Sequence, residues 1–216
     1  MLEKMGEFFD HRLGSYDAHQ LNCIDSAREF LRFTAECLPA QAGSAILDLG
    51  CGTGLELESY LAVNPTAHIT GIDLAPGMLN RLKEKFPGKN IDLVLGSYFD
   101  VPFGLRVYDA AVSVESLHHF TADEKIPLYK KLAEALKAGG FFILTDYFSL
   151  SDEEERRHRS EFLRLKAGQG IDDGAFYHYD TPLTVEHEIR CLKSAGFSSV
   201  NILKHWGATY SVKAEK

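Results

Sequence analysis

Asp48, Gly50, Gly52 and Gly54 stand at alternating positions, and their types and spacing suggest chemistry. Glycine frees the main chain to turn tightly and lets a ligand touch the backbone directly. The run follows Ala45-Ile46-Leu47-Asp48-Leu49, which reads as a buried strand, and leads into a helix through Leu61. Strand, glycine loop and helix together predict a nucleotide-binding crossover. A loop for a dinucleotide pyrophosphate wants G-x-G-x-x-G, and its third glycine would fall at position 55, where Leu55 stands. That argues against an NAD-dependent oxidoreductase. The second mark is Gly71-Ile72-Asp73 at the end of the next strand. A carboxylate there can accept from both ribose hydroxyls, or it can cap the helix that follows.

Further along, Glu115-Ser116-Leu117-His118-His119-Phe120 follows the fourth expected strand. Imidazole titrates near neutrality, so His118 or His119 suits a general base or a group that orients an acceptor. The blander alternative packs one ring on the sheet and uses the other to cap the next helix. A metal is not expected at the two histidines, because no third ligand stands at a suitable spacing. Phe176, Tyr177, His178 and Tyr179 cluster late in the chain and suit a lid over a planar or cationic ligand.

These residues need a scaffold. Helical periodicity runs over 19–38 and is stopped by Pro39. After the first strand and helix come strands over 68–72, 91–95, 109–114 and 141–145, with helices over 76–86 and 121–137 between them. Thr121 with Glu124, and Ser151 with Glu154, are capping boxes; the second opens a helix to about Lys166, on which Glu153/Arg157 and Glu155/Arg159 are spaced to pair. A loose segment follows over 168–179, then a helix over 184–195 and a closing strand pair over 200–203 and 208–212. This alternation predicts a mostly parallel sheet covered on both faces. It divides the single domain into a helical cap (1–40), a ligand-binding core (41–148), a lid insertion (149–181) and a closing helix with strand pair (182–216).

The segments 46–54, 71–78, 108–120 and 136–146 resemble, in order, the successive motifs of class I S-adenosylmethionine-dependent methyltransferases of the small-molecule type. The D-x-G-x-G-x-G run resembles the family's first motif, whose loop wraps the methionine part of a cofactor that has no phosphate. The resemblance implies a Rossmann-like, doubly wound seven-stranded sheet in the order 3-2-1-4-5-7-6, with strand 7 antiparallel. It implies that Asp48, Gly50, Gly52 and Gly54 line the methionine pocket, that Asp73 holds the ribose, and that Leu74 and Met78 flank the adenine. Where the family often has Gly-Asp, this chain has Gly96-Ser97-Tyr98, so Ser97 and Tyr98 are the candidates at the adenine edge. Glu115 is a further candidate for the cofactor. The lead-in Phe8-Phe9-Asp10 to Tyr16-Asp17 resembles the segment that folds over the cofactor, with Tyr16 reaching its carboxylate. The implied activity is in-line transfer of a methyl group from S-adenosylmethionine, giving S-adenosylhomocysteine. The same loop would serve a non-catalytic binder of either nucleoside or an RNA-modifying enzyme of this fold.

Composition narrows these readings. A chain of 216 residues suits one large domain. A formal net charge of −8 disfavours a protein that chiefly grips nucleic acid phosphates, which favours a small-molecule acceptor. Cys23, Cys37, Cys51 and Cys191 form no C-x-x-C pair and read as reduced thiols, so the expected compartment is the cytoplasm. No membrane span is expected, since no apolar run approaches the roughly 18 residues one needs. Oligomeric state is left open, a homodimer included, as are the acceptor and the atom methylated.

Overall fold

The computed structural model describes residues 1–172 and 174–216; Asp173, in the segment expected to be loose, lies outside the described residues. Three helices come first: α1 (Met5–Arg12), α2 (Tyr16–Cys23) and α3 (Ala27–Cys37). The one helix expected over 19–38 is therefore two. Ile24 is extended and Ser26 adopts a left-handed backbone at φ 58°, while the apolar spacing of Leu21, Ile24 and Leu31 runs straight across the break.

The alternation then proceeds as predicted, through β1 (Ala45–Leu49), α4 (Leu55–Val63), β2 (His68–Asp73), α5 (Pro76–Lys85), β3 (Ile91–Leu95) and β4 (Tyr108–Val114). A 3-10 turn at Leu117–His119 leads to α6 (Ala122–Ala135), where Glu124 reaches back to accept from the Thr121 N–H at 2.8 Å. β5 (Leu136–Tyr147) starts earlier than expected because Leu136 already pairs with Tyr108, before a register shift. Next come α7 (Asp152–Gly168), α8 (Val185–Ser194), β6 (Ser199–Trp206) and β7 (Thr209–Glu215). On α7, Arg157 pairs with Glu154 at 3.6 Å instead of Glu153. Glu155 turns away from Arg159 toward the Thr184 N–H (2.6 Å) and His187 Nδ1 (2.7 Å), which ties α7 to α8.

The sheet order is β3-β2-β1-β4-β5-β7-β6, parallel except for β7, which runs antiparallel to both neighbours. Successive side chains of a strand point to opposite faces. Ile46, Ile69, Val112 and Ile143 thus pack against Leu57 and Tyr60 of α4 and Leu82 of α5. Leu47, Leu49, Phe142 and Leu144 pack against Leu132 of α6 and Leu192 of α8. Both faces are covered, and the free edge of the sheet for a ligand is the one where the parallel strands end. Among the described residues no helix is long and apolar enough to cross a membrane.

Candidate functional site

The loop after β1 is built on left-handed backbone. Gly50 lies at φ 75° and Gly52 at φ 48°, and a Cβ on Gly50 would collide with Ser116 Oγ. Beside it, Asp73 ends β2 with both oxygens engaged: Oδ1 accepts from Ala75 N at 2.8 Å and Oδ2 from Gly52 N at 2.9 Å. Burial pushes the Asp73 pKa up, against those amide donors.

Together these residues border a narrow slot of about 40 Å³. Gly50, Gly52 and Asp73 lie on one side, and Leu74, Met78 and Tyr98 supply apolar walls; Tyr16 and Glu115 complete the predicted set that lines it. Three predicted residues stand elsewhere. Asp48 is buried under the loop beside Glu56, each with one unpartnered carboxylate oxygen. Gly54 caps α4 and faces Leu82 and Phe86. Ser97 Oγ accepts from Phe99 N at 3.1 Å in a local turn. Met5, Phe9, Ser116 and His119 also line the slot. Of these, Phe9 belongs to the lead-in motif, whereas no spacing in the sequence points to Met5.

That lead-in is pinned by its two aspartates. Asp10 accepts from Gly77 N at 2.9 Å, at the start of α5. Asp17 accepts from Thr53 Oγ1 at 2.5 Å and pairs with Lys85 at 3.2 Å. α1 and α2 thereby close over the slot, and the Tyr16 hydroxyl comes to rest near Gly52.

A second cavity of about 970 Å³ adjoins the slot and shares Phe9, Tyr16, Glu115 and His119 with it. His118, Tyr147, His178 and Asp180 face this cavity. Glu115 holds a left-handed backbone at φ 48°, a strained conformation for a non-glycine residue, costing about 1–3 kcal/mol. Burial and the nearby Asp146 push its pKa up to about 7. His118 Nδ1 lies 2.6 Å from Asp146 Oδ1. Asp146 is buried and also accepts from the N–H groups of Leu117, His118 and Tyr147. Burial opposes a charge on His118, but Asp146 more than offsets it and the imidazole titrates well above its ordinary range. His119 is moved the other way, by burial and then by His118.

The expected lid residues divide. His178 stacks on Phe8 at 3.4 Å between ring centroids and faces the large cavity. Phe176 instead fills an apolar cluster with Phe99 (5.1 Å) and Phe120 (5.3 Å). Tyr179 stacks on Phe162 of α7, and Tyr177 bridges to Lys4. Phe176, Tyr177 and Tyr179 line neither cavity, because the main chain around them is bound to the N-terminus by Met5 N to Phe176 O (2.9 Å) and His178 N to Glu3 O (3.0 Å).

Residues 46–140 match a methyltransferase domain. The chain is 30% identical over 209 residues to the biotin biosynthesis bifunctional protein BioHC of Teredinibacter turnerae, covering 84% of this chain and 36% of that one. It is 29% identical to the erythromycin 3''-O-methyltransferase of Saccharopolyspora erythraea, covering 82% of this chain and 58% of that one. It is also 28% identical to the tRNA (carboxymethyluridine(34)-5-O)-methyltransferase of Xenopus tropicalis, over 62% of this chain and 20% of that one. In fold it resembles human N-acetylserotonin methyltransferase, solved in complex with SAM, at a TM-score of 0.66 and 24% identity, over 96% of this chain and 56% of that one. Residues 46–140 belong to the methyltransferase domain family, and the chain as a whole has the fold of the class I S-adenosylmethionine-dependent methyltransferases. This methyltransferase chain spans less than two thirds of the length of the BioHC, erythromycin and tRNA relatives. In it the slot and the large cavity meet at Phe9, Tyr16, Glu115 and His119.

Proposed function

We propose that this methyltransferase moves a methyl group from S-adenosylmethionine to a small-molecule acceptor held in the large cavity. The observation that carries the reading is the junction itself: a slot bordered by the glycine loop and Asp73 opens beside a 970 Å³ cavity, within the range of roughly 300–1,000 Å³ usual for small ligands. The residues present fit the cofactor in kind. Asp73 would accept from the ribose hydroxyls, Leu74, Met78 and Tyr98 would enclose the adenine, and Gly50 and Gly52 would meet the methionine part, with Tyr16 and Glu115 at its open end.

When bound, S-adenosylmethionine supplies a methyl group on an already activated sulfonium, so the protein's task is alignment and exclusion of water. Tyr16 and Phe9, shared by the two cavities, would shield the junction from solvent once both ligands are bound. His118 and His119 present their rings to the acceptor side, with His178 beside His119 at 4.8 Å between ring centroids. The net charge of −8 supports a small molecule over a polynucleotide. The four free cysteines fit a reducing compartment, and we propose the cytosol.

Thermal unfolding with S-adenosylmethionine, S-adenosylhomocysteine and NAD tests the cofactor. At a hundredfold excess over Kd the first two should each add about 2.7 kcal/mol of stability and NAD none. S-adenosylhomocysteine release is then measured with pooled small metabolites and with unmodified tRNA. Release with tRNA alone would overturn the small-molecule reading, and release with neither would leave a binding protein.

A further inference from the structure

We propose that His118, His119 and Asp180 bind one divalent transition-metal ion of the zinc class, with a coordination position open to an oxygen or sulfur donor in the large cavity. Asp180 Oδ1 lies 3.5 Å from His118 Nε2 and 3.1 Å from His119 Nδ1, and the three donor atoms fall within 4.8 Å of one another. Zinc bonds of roughly 2.0–2.2 Å to nitrogen and oxygen in a tetrahedron place neighbouring ligand atoms about 3.3 Å apart. The two separations from Asp180 bracket that value, and the two histidine nitrogens lie within 4.8 Å of each other, so at most a modest closing of the two rings completes the site. Two imidazoles and one carboxylate are a donor set borderline metals take with a vacant position left for substrate.

The support behind the donors is what separates this cluster from an accidental one. His118 presents Nε2 because its Nδ1 is engaged at 2.6 Å by Asp146. Asp146 is itself buried and held by three main-chain N–H groups. A carboxylate on the far nitrogen of a histidine ligand fixes its tautomer and ring and raises its basicity. Asp180 is brought opposite the histidines by a backbone bond from Thr181 N to His118 O at 2.8 Å. The same His119 nitrogen lies 3.3 Å from the Tyr179 carbonyl, a long contact that the metal would replace. All three donors border the large cavity, so the open position faces the acceptor. A hydroxyl, thiol or carboxylate of the acceptor would bind there, and a metal-bound hydroxyl or thiol gives up its proton more readily. The metal site stands on these donors alone and does not require the methyl-transfer reading.

The test uses chelator-stripped full-length protein and zinc chloride, followed by calorimetry and by elemental analysis after dialysis. Magnesium chloride serves as the comparison, and cobalt(II) absorption reports the ligand set. One zinc per chain is expected, with no saturable magnesium binding and no thiolate-to-cobalt band, which rules out the cysteines. Asp180 has a side chain 46% exposed, so Asp180→Ala should keep its fold by circular dichroism and lower zinc affinity at least tenfold. Asp146→Asn should lower it roughly 10–100-fold. Zinc below one fifth of an equivalent would overturn the site. So would stoichiometric zinc whose affinity Asp180→Ala and His119→Ala leave unchanged, since the cluster would then be an ion pair only.

Discussion

The Gly52 N–H donates to Asp73 Oδ2 at 2.9 Å, drawing the glycine loop onto the carboxylate at the end of β2. The other oxygen is held by Ala75 N at the start of α5, so the side chain is fixed by the elements on either side of it. Each carboxylate oxygen has a second lone pair, and two remain for ribose hydroxyls. Asp73→Ala should weaken S-adenosylmethionine binding tenfold or more, since each hydrogen bond to a charged group contributes about 1.5–3 kcal/mol. Calorimetric titration decides. Unchanged affinity would reduce Asp73 to a loop tie and helix cap.

Gly52 offers a way to block the slot while sparing the fold. A methyl built on it meets the Tyr16 hydroxyl at 3.7 Å and nothing nearer, so there is room for it among the protein's own atoms. The left-handed backbone makes alanine cost about 1–2 kcal/mol there. The methyl points into the slot, however, and overpacking a bound ligand costs about 1–3 kcal/mol. Gly52→Ala should fold with a modestly lowered melting temperature and bind S-adenosylmethionine tenfold or more weakly. Wild-type affinity in the variant would mean that the ligand does not approach the loop.

The sheet was legible because each strand and helix carries its own period and stop signals, and the motifs in register supplied the strand order. Periodicity failed where the break leaves it intact: Ile24 keeps the apolar spacing although Ser26 turns the chain. It failed again at Leu136–Tyr147, where pairing with Tyr108 begins the strand before the two glycines. Within the site, the glycine loop and the Asp73 carboxylate beside it could be read locally. Whether a side chain faces the slot depends on the twist of the loop, which sends Asp48 beneath it and Gly54 toward Phe86. Asp180 could not be found from spacing, because a backbone bond to the carbonyl of His118 carries it across the fold. Phe176 and Tyr179 looked like lid residues by composition, and packing gave them to Phe99 and Phe162.

Asp48 and Glu56 contact one another while both are buried, and the pKa of each is raised, chiefly by that burial. The folded chain then holds a proton to a higher pH than the unfolded chain does. The resulting stability is fully present below the unfolded carboxyl pKa of about 4 and is lost as pH rises through the folded value. Glu56→Gln removes one of the two charges. Urea titrations from pH 4 to pH 8 should show the variant gaining on the wild type as pH rises. A stability difference independent of pH would mean that the pair does not share a proton.

Lys125 of α6 and Glu188 of α8 form a buried ion pair at 2.6 Å, and the Tyr129 hydroxyl donates to the same carboxylate. Both side chains are almost wholly removed from water, with 2% and 0% of their surface exposed. Desolvating two charges largely cancels their attraction, so the pair itself adds little net stability. Breaking it is another matter, because an uncompensated buried charge costs about 3–5 kcal/mol. Lys125→Met should therefore destabilise by that amount in urea. Lys125→Met combined with Glu188→Gln should recover most of the loss: the glutamine carries no charge and its carbonyl still accepts from Tyr129. If the double variant is as unstable as the single one, packing of the lysine stem, and not the stranded carboxylate, sets the cost.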